Sequence, residues 1–116
     1  MRSWFNLDLL DPNDPFEIDE RNRPHLYKHL PVAEDRYVSV GVEDILDVYL
    51  YGDPMYEPGD EEHAADWIMI GEAPGIVLAV PLAPPRKPDP SKCRPIGLDS
   101  ATEEERGRHR RWVMRP

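Results

Sequence analysis

Apolar side chains at Val42, Ile45, Leu46 and Tyr49 fall at i, i+3, i+4 and i+7, the spacing that lines one face of a helix. This stripe predicts a helix from Gly41 to Tyr51, with Gly52 placed to end it and Pro54 just beyond. Two later runs follow a different pattern. W-I-M-I-G at Trp67 to Gly71 and I-V-L-A-V at Ile76 to Val80 read as strands, joined by E-A-P-G with Gly75 available for a positive φ. The second run is apolar on both faces, which marks it as a central strand.

Shorter patterns fill in the remainder. Phe16 to Asp19 alternates apolar and acidic, as a half-buried strand does. Asn22 to Leu30 predicts a helix, with Asn22 or Arg23 near its cap and Pro24 tolerated in the first turn. Met55 to Ala65 is acidic and reads as a loop or irregular strand. Pro81 to Ser91, with five prolines, is a stiff connection to a short third strand at Cys93 to Gly97. Ser100-Ala-Thr-Glu103 matches a capping box opening a helix to about Val113, with glutamates in its first turn and arginines toward its end. D-P-N-D-P makes residues 1–15 an N-terminal arm and leaves 16–116 as one domain. The expectation is an α+β fold, an antiparallel sheet of three to five strands packed by two N-terminal helices and a C-terminal helix.

A chain of 116 residues with 14 prolines and 40% apolar residues holds one loop-rich domain with a modest core. No apolar run approaches the ~18 residues of a membrane helix, and the start does not read as a signal peptide. A single cysteine, Cys93, closes no internal disulfide, so a cytoplasmic protein is expected. The net charge of −9 argues against a protein that coats nucleic acid. That charge is unevenly spread. Residues 1–85 carry 5 basic and 18 acidic side chains, net −13, whereas residues 86–116 carry 9 and 5, net +4. A polyanion site would have to draw on the C-terminal third.

Candidate chemistry is sparse. His25 and His29, four apart on the predicted first helix, are spaced like metal ligands, but Leu26 stands where the H-E-x-x-H pattern has glutamate. Only His63 offers a third ligand, so surface or cap histidines are the better reading and no metal is assigned. The serines lie in no G-x-S-x-G elbow, and Cys93 has cationic neighbours in Lys92 and Arg94 but no base. There is no phosphate-binding lysine loop and no dinucleotide glycine motif, so no cofactor is expected. Phosphodiester chemistry remains. Metal-free RNA cleavage needs a base, an acid and cations on the phosphate, and Lys28, His29, Arg94 and Arg106 are of those types.

The order of short motifs adds a resemblance. F-E-I-D at Phe16, Asn22, K-H at Lys28–His29, V-E-D at Val42–Asp44, D-P at Asp53–Pro54, W-I-M-I-G, G-x-x-L-x-V from Gly75, R-P-I-G at Arg94 and A-T-x-x-E-R ending at Arg106 resemble the BrnT family of toxins. These are small ribonucleases of type II toxin–antitoxin systems with a RelE-like fold. The resemblance implies an endoribonuclease that cuts RNA without metal or cofactor, with Lys28 and His29 on the K-H motif, Arg94 on the last strand motif, and Arg106 as a further cation. It also implies a tightly bound antitoxin of ribbon-helix-helix type in a hetero-oligomer. Two positions depart from the family. Asp66 stands where an arginine precedes the strand aromatic, and Asp99 where an arginine closes the last strand motif. Each exchange shifts the local charge by two units beside a phosphate site. A second reading follows, a catalytically degenerate relative that keeps the antitoxin-binding role, with the acidic N-terminal part complementary to a basic partner.

Overall fold

The computed structural model describes residues 5–59 and 64–116. The chain forms an α+β fold around a five-stranded antiparallel sheet. Its centre is β5 (Ile76–Ala83), which pairs with β4 (Trp67–Ala73) from Ala73↔Ile76 to Trp67↔Leu82. On its other side β5 meets two short strands, β6 (Arg94–Pro95) at Leu82–Ala83 and β7 (Asp99–Ser100) at Leu78–Ala79. β3 (Met55–Pro58) closes the opposite edge against β4. The hairpin between β4 and β5 turns at Gly75, whose φ of +81° is the left-handed value a glycine supplies without strain.

Side-chain alternation divides this sheet into two faces. Met69, Leu78, Val80 and Leu82 share a core with Ile45 and Val48 of α1 (Val42–Tyr51). Ile70 and Ala79 join Ala101 in a smaller cluster on the face beneath α2 (Glu103–Val113). The stripe predicted for α1 packs inward, Ile45 completely and Val42, Leu46 and Tyr49 in part, and Val48 joins it where β4 carries Gly71. A Cβ at Gly71 would come within 2.8 Å of Val48 Cγ1, so this glycine sets how closely helix and sheet approach. Gly52 ends α1 as predicted, but its φ of −87° is ordinary. Its role is space, because a Cβ there would lie 2.3 Å from the Glu72 carbonyl oxygen.

Before α1 the structure departs from the sequence reading. The helix predicted over Asn22 to Leu30 is a 3-10 turn, Arg23–Leu26, followed by β1 (Lys28–Ala33). Proline at 31 disfavours helical backbone at Leu30, and an apolar alternation on the far side of Glu34–Asp35 supplies a strand partner. That partner is β2 (Arg36–Val40), which forms with β1 a separate two-stranded antiparallel ribbon. One α-helix, not two, therefore precedes the sheet. Phe16 to Asp19 is not a strand, since only Phe16 makes a bridge, parallel to Cys93. The C-terminal capping box lies two residues later than expected. Thr102 Oγ1 accepts from the Glu105 N–H at 3.1 Å, and the Glu105 carboxylate accepts from the Thr102 N–H at 2.8 Å. Ser100 cannot cap because it is already paired with Leu78 in β7.

Within the stretch read as an arm, Phe5 and Leu10 are buried in the main core and the Tyr49 hydroxyl donates to the Asp11 carbonyl at 3.1 Å. No helix among the described residues is long and apolar enough to cross a membrane.

Candidate functional site

A cleft of about 570 Å³ opens where four elements meet. The end of β1 supplies Pro31 and Val32, the β4–β5 hairpin supplies Glu72, Ile76 and Val77, β7 supplies Ser100, and α2 supplies Arg106. Capping geometry places the arginine. Thr102 starts α2 directly beside the sheet, so the guanidinium one turn later reaches back and donates to the Ala101 carbonyl at 3.0 Å. The walls mix polar and apolar surface, with Arg106 and Glu72 contributing charges of opposite sign.

Of the four cations expected to assemble, only Arg106 lines this cleft. Lys28 and His29 lie on β1 rather than on a helix, a correction to the expected carrier of both side chains. His29 is exposed, and its imidazole is engaged on its own ribbon. Nδ1 lies 3.0 Å from Ser39 Oγ, and the ring stacks on Tyr37 with centroids 4.9 Å apart. Arg94 stands on β6 at the other end of β5, opposite Ala83, whereas the cleft is lined by Val77. Six residues of extended chain separate those positions, about 20 Å at ~3.3 Å per residue. Arg94 Nε donates to the Pro84 carbonyl at 3.3 Å, and burial, followed by the nearby Arg86, lowers its pKa. Its other charged neighbours are Glu17 and Asp19, the latter in an ion pair with Arg86. The Asn22 N–H and the Arg86 guanidinium hold the Asp19 carboxyl down at about 2.

The two acids that depart from the family pattern occupy unlike places. Asp99 is exposed on β7. Asp66 is fully buried, accepts from the Phe5 N–H at 3.3 Å, and through its own backbone ties Gly59 to Leu82. Asp66 is thus a structural acid inside the fold and does not border the cleft.

The helical face that would have aligned His25 with His29 is absent, with His25 in the 3-10 turn and His29 in β1. Among the described residues no three His, Cys, Asp or Glu side chains form a metal-binding group, and His63 lies outside them. Cys93 is completely buried, and desolvation pushes its thiol up to about 12, which keeps it protonated and unreactive.

No family model, curated protein or solved structure matches this chain.

Sequence reasoning missed Tyr37 and Ser39, the partners that hold His29. Their signal was present as R-Y-V-S-V at Arg36 to Val40, a strand pattern two residues after L-P-V-A. Glu72 and Ser100 carried no such signal, because they become cleft residues only through the pairing of β4, β5 and β7.

Proposed function

We propose that this chain works by binding a protein partner rather than by cutting RNA, the degenerate form of the BrnT-like reading. The observation that carries it is the dispersal of the candidate cations. Arg94 and Arg106 sit at opposite ends of β5, and His29 is engaged by Ser39 and Tyr37. Phosphoryl transfer depends on donors already arranged around the transition-state charge, and about 20 Å along β5 keeps Arg94 from sharing a phosphate with Arg106. Charge supports a basic partner. Residues 1–85 carry net −13, which favours association with a basic protein and repels a polyanion. The resemblance to BrnT toxins supplies the class, a small DNA-binding antitoxin of ribbon-helix-helix type.

The test is co-expression with the product of the adjacent gene, followed by kinetics of the purified pair. A stable hetero-oligomer is expected, with an association rate falling at least tenfold between about 50 mM and 500 mM salt as screening shortens the reach of the acidic surface. A chain that stays uncomplexed beside its neighbour's product, or a complex whose association ignores salt, contradicts the reading.

A further inference from the structure

A second surface, on the opposite side of α2 from the cleft, points to another ligand and does not depend on the reading above. Between the edge strand β3 and the C-terminal half of α2 runs a groove of about 580 Å³. Its floor is Met55 and Trp112, and its cations are Arg108, Arg111 and Arg115. Trp112 is 37% exposed, a large apolar surface for a helix that otherwise buries only His109.

Two of the arginines are fixed and one is not. Arg108 forms a two-pronged pair with the Glu57 carboxylate at 2.6 and 3.0 Å, which ties α2 to β3. The Arg115 guanidinium lies 3.6 Å over the Trp112 ring and reaches Asp53 at 3.5 Å. Arg111 makes no ion pair among the described residues, although it lines the same groove. Beside these side chains β3 pairs only with β4, so its outer edge is unpaired among the described residues. An open strand edge next to an apolar floor is the arrangement that accepts an added strand, with main-chain bonds giving affinity and alternate side chains giving specificity.

We infer that this groove takes an extended, acidic segment of a partner protein, which adds to the edge of β3 and places carboxylates against Arg111 and apolar side chains on Trp112 and Met55. Arg111, whose charge no carboxylate among the described residues offsets in an ion pair, sets the sign of the segment. The strand edge selects a peptide over a nucleic acid, because a sugar-phosphate chain has no amide ladder to offer it. The net charge of −13 on residues 1–85 also opposes a long polyanion, whereas a short acidic segment is drawn only to the local arginines.

The test is fluorescence anisotropy on the full chain with a labelled hexapeptide of alternating valine and glutamate. Three further probes accompany it: the same peptide with lysine for glutamate, the glutamate peptide N-methylated at alternate residues, and a six-nucleotide single-stranded RNA. Saturable binding of the glutamate peptide is expected, at least tenfold weaker for the Arg111→Glu variant and for the N-methylated peptide, with no saturation by the lysine peptide. Arg111 is an exposed side chain near the end of α2, so its substitution leaves the core intact, which circular dichroism verifies. Absence of saturable binding, equal binding to Arg111→Glu, or equal affinity for the N-methylated peptide overturns the inference. Tighter binding of the RNA than of the glutamate peptide overturns it in favour of a nucleic-acid surface.

Discussion

Replacing Asp66 by arginine is expected to lower the unfolding free energy by about 3–5 kcal/mol, enough to leave a small domain largely unfolded. Judged from motif position alone, the same change restores a phosphate-binding cation and raises activity. The structure reverses that expectation because Asp66 is fully buried at the start of β4, where its carboxylate accepts from the Phe5 N–H. A guanidinium in that place brings a charge into the interior, is too large for the space, and leaves the Phe5 amide without its acceptor. Asp66→Asn, which retains an acceptor oxygen at nearly the same volume, is expected to cost much less, about 1–2 kcal/mol. Denaturant unfolding of the three proteins measures the differences. If Asp66→Arg lies within about 1 kcal/mol of the parent chain, the burial of Asp66 is wrong.

Leu78→Ala is expected to cost about 2–5 kcal/mol, the range for emptying a fully buried leucine site. Leu78 lies at the middle of the central strand, opposite Gly71 on β4, and belongs to the core that Ile45 and Val48 enter from α1. Little can move in to fill the space. The paired strands on both sides fix the backbone of β5, and Gly71 offers no side chain. Ile45→Ala tests the same core from the helix side. Losses below about 0.5 kcal/mol at both positions, measured by denaturant unfolding, would contradict the packing of α1 on the sheet.

The parts of the fold legible in the sequence are those in which one period dominates. The stripe from Val42 to Tyr49 predicts α1 with both of its glycine and tyrosine boundaries, and the β4–β5 hairpin follows from two β-rich runs around Gly75. Where two signals compete, local pattern misleads. Asn22 or Arg23 as a cap with Pro24 in the first turn suggest a helix start, yet Pro31 and the run from Arg36 to Val40 draw Lys28–Ala33 into a strand, because pairing satisfies the backbone groups that a proline-interrupted helix leaves open. The capping box was misplaced for a related reason. Ser100 has the right chemistry, but tertiary pairing with Leu78 removes it and leaves Thr102 to cap.

The candidate site was legible only as residue types. Lys28, His29, Arg94 and Arg106 suit phosphate chemistry, but the separation of Arg94 from Arg106 depends on the length of β5 and on which of its ends β6 and β7 meet. No local pattern encodes that. Nor does any local pattern encode the bond to buried Asp66 from the Phe5 N–H, 61 positions earlier in the chain.

RNA integrity tests most directly whether the candidate cations form a cleaving site. Purified, partner-free protein is incubated with total RNA, with and without ribosomes, beside its His29→Ala variant. Intact RNA is expected for both proteins over hours at micromolar concentration. Cleavage by the parent chain that falls by about 10²-fold or more in His29→Ala, the loss typical of a missing proton-transfer group, would contradict it and restore the ribonuclease reading.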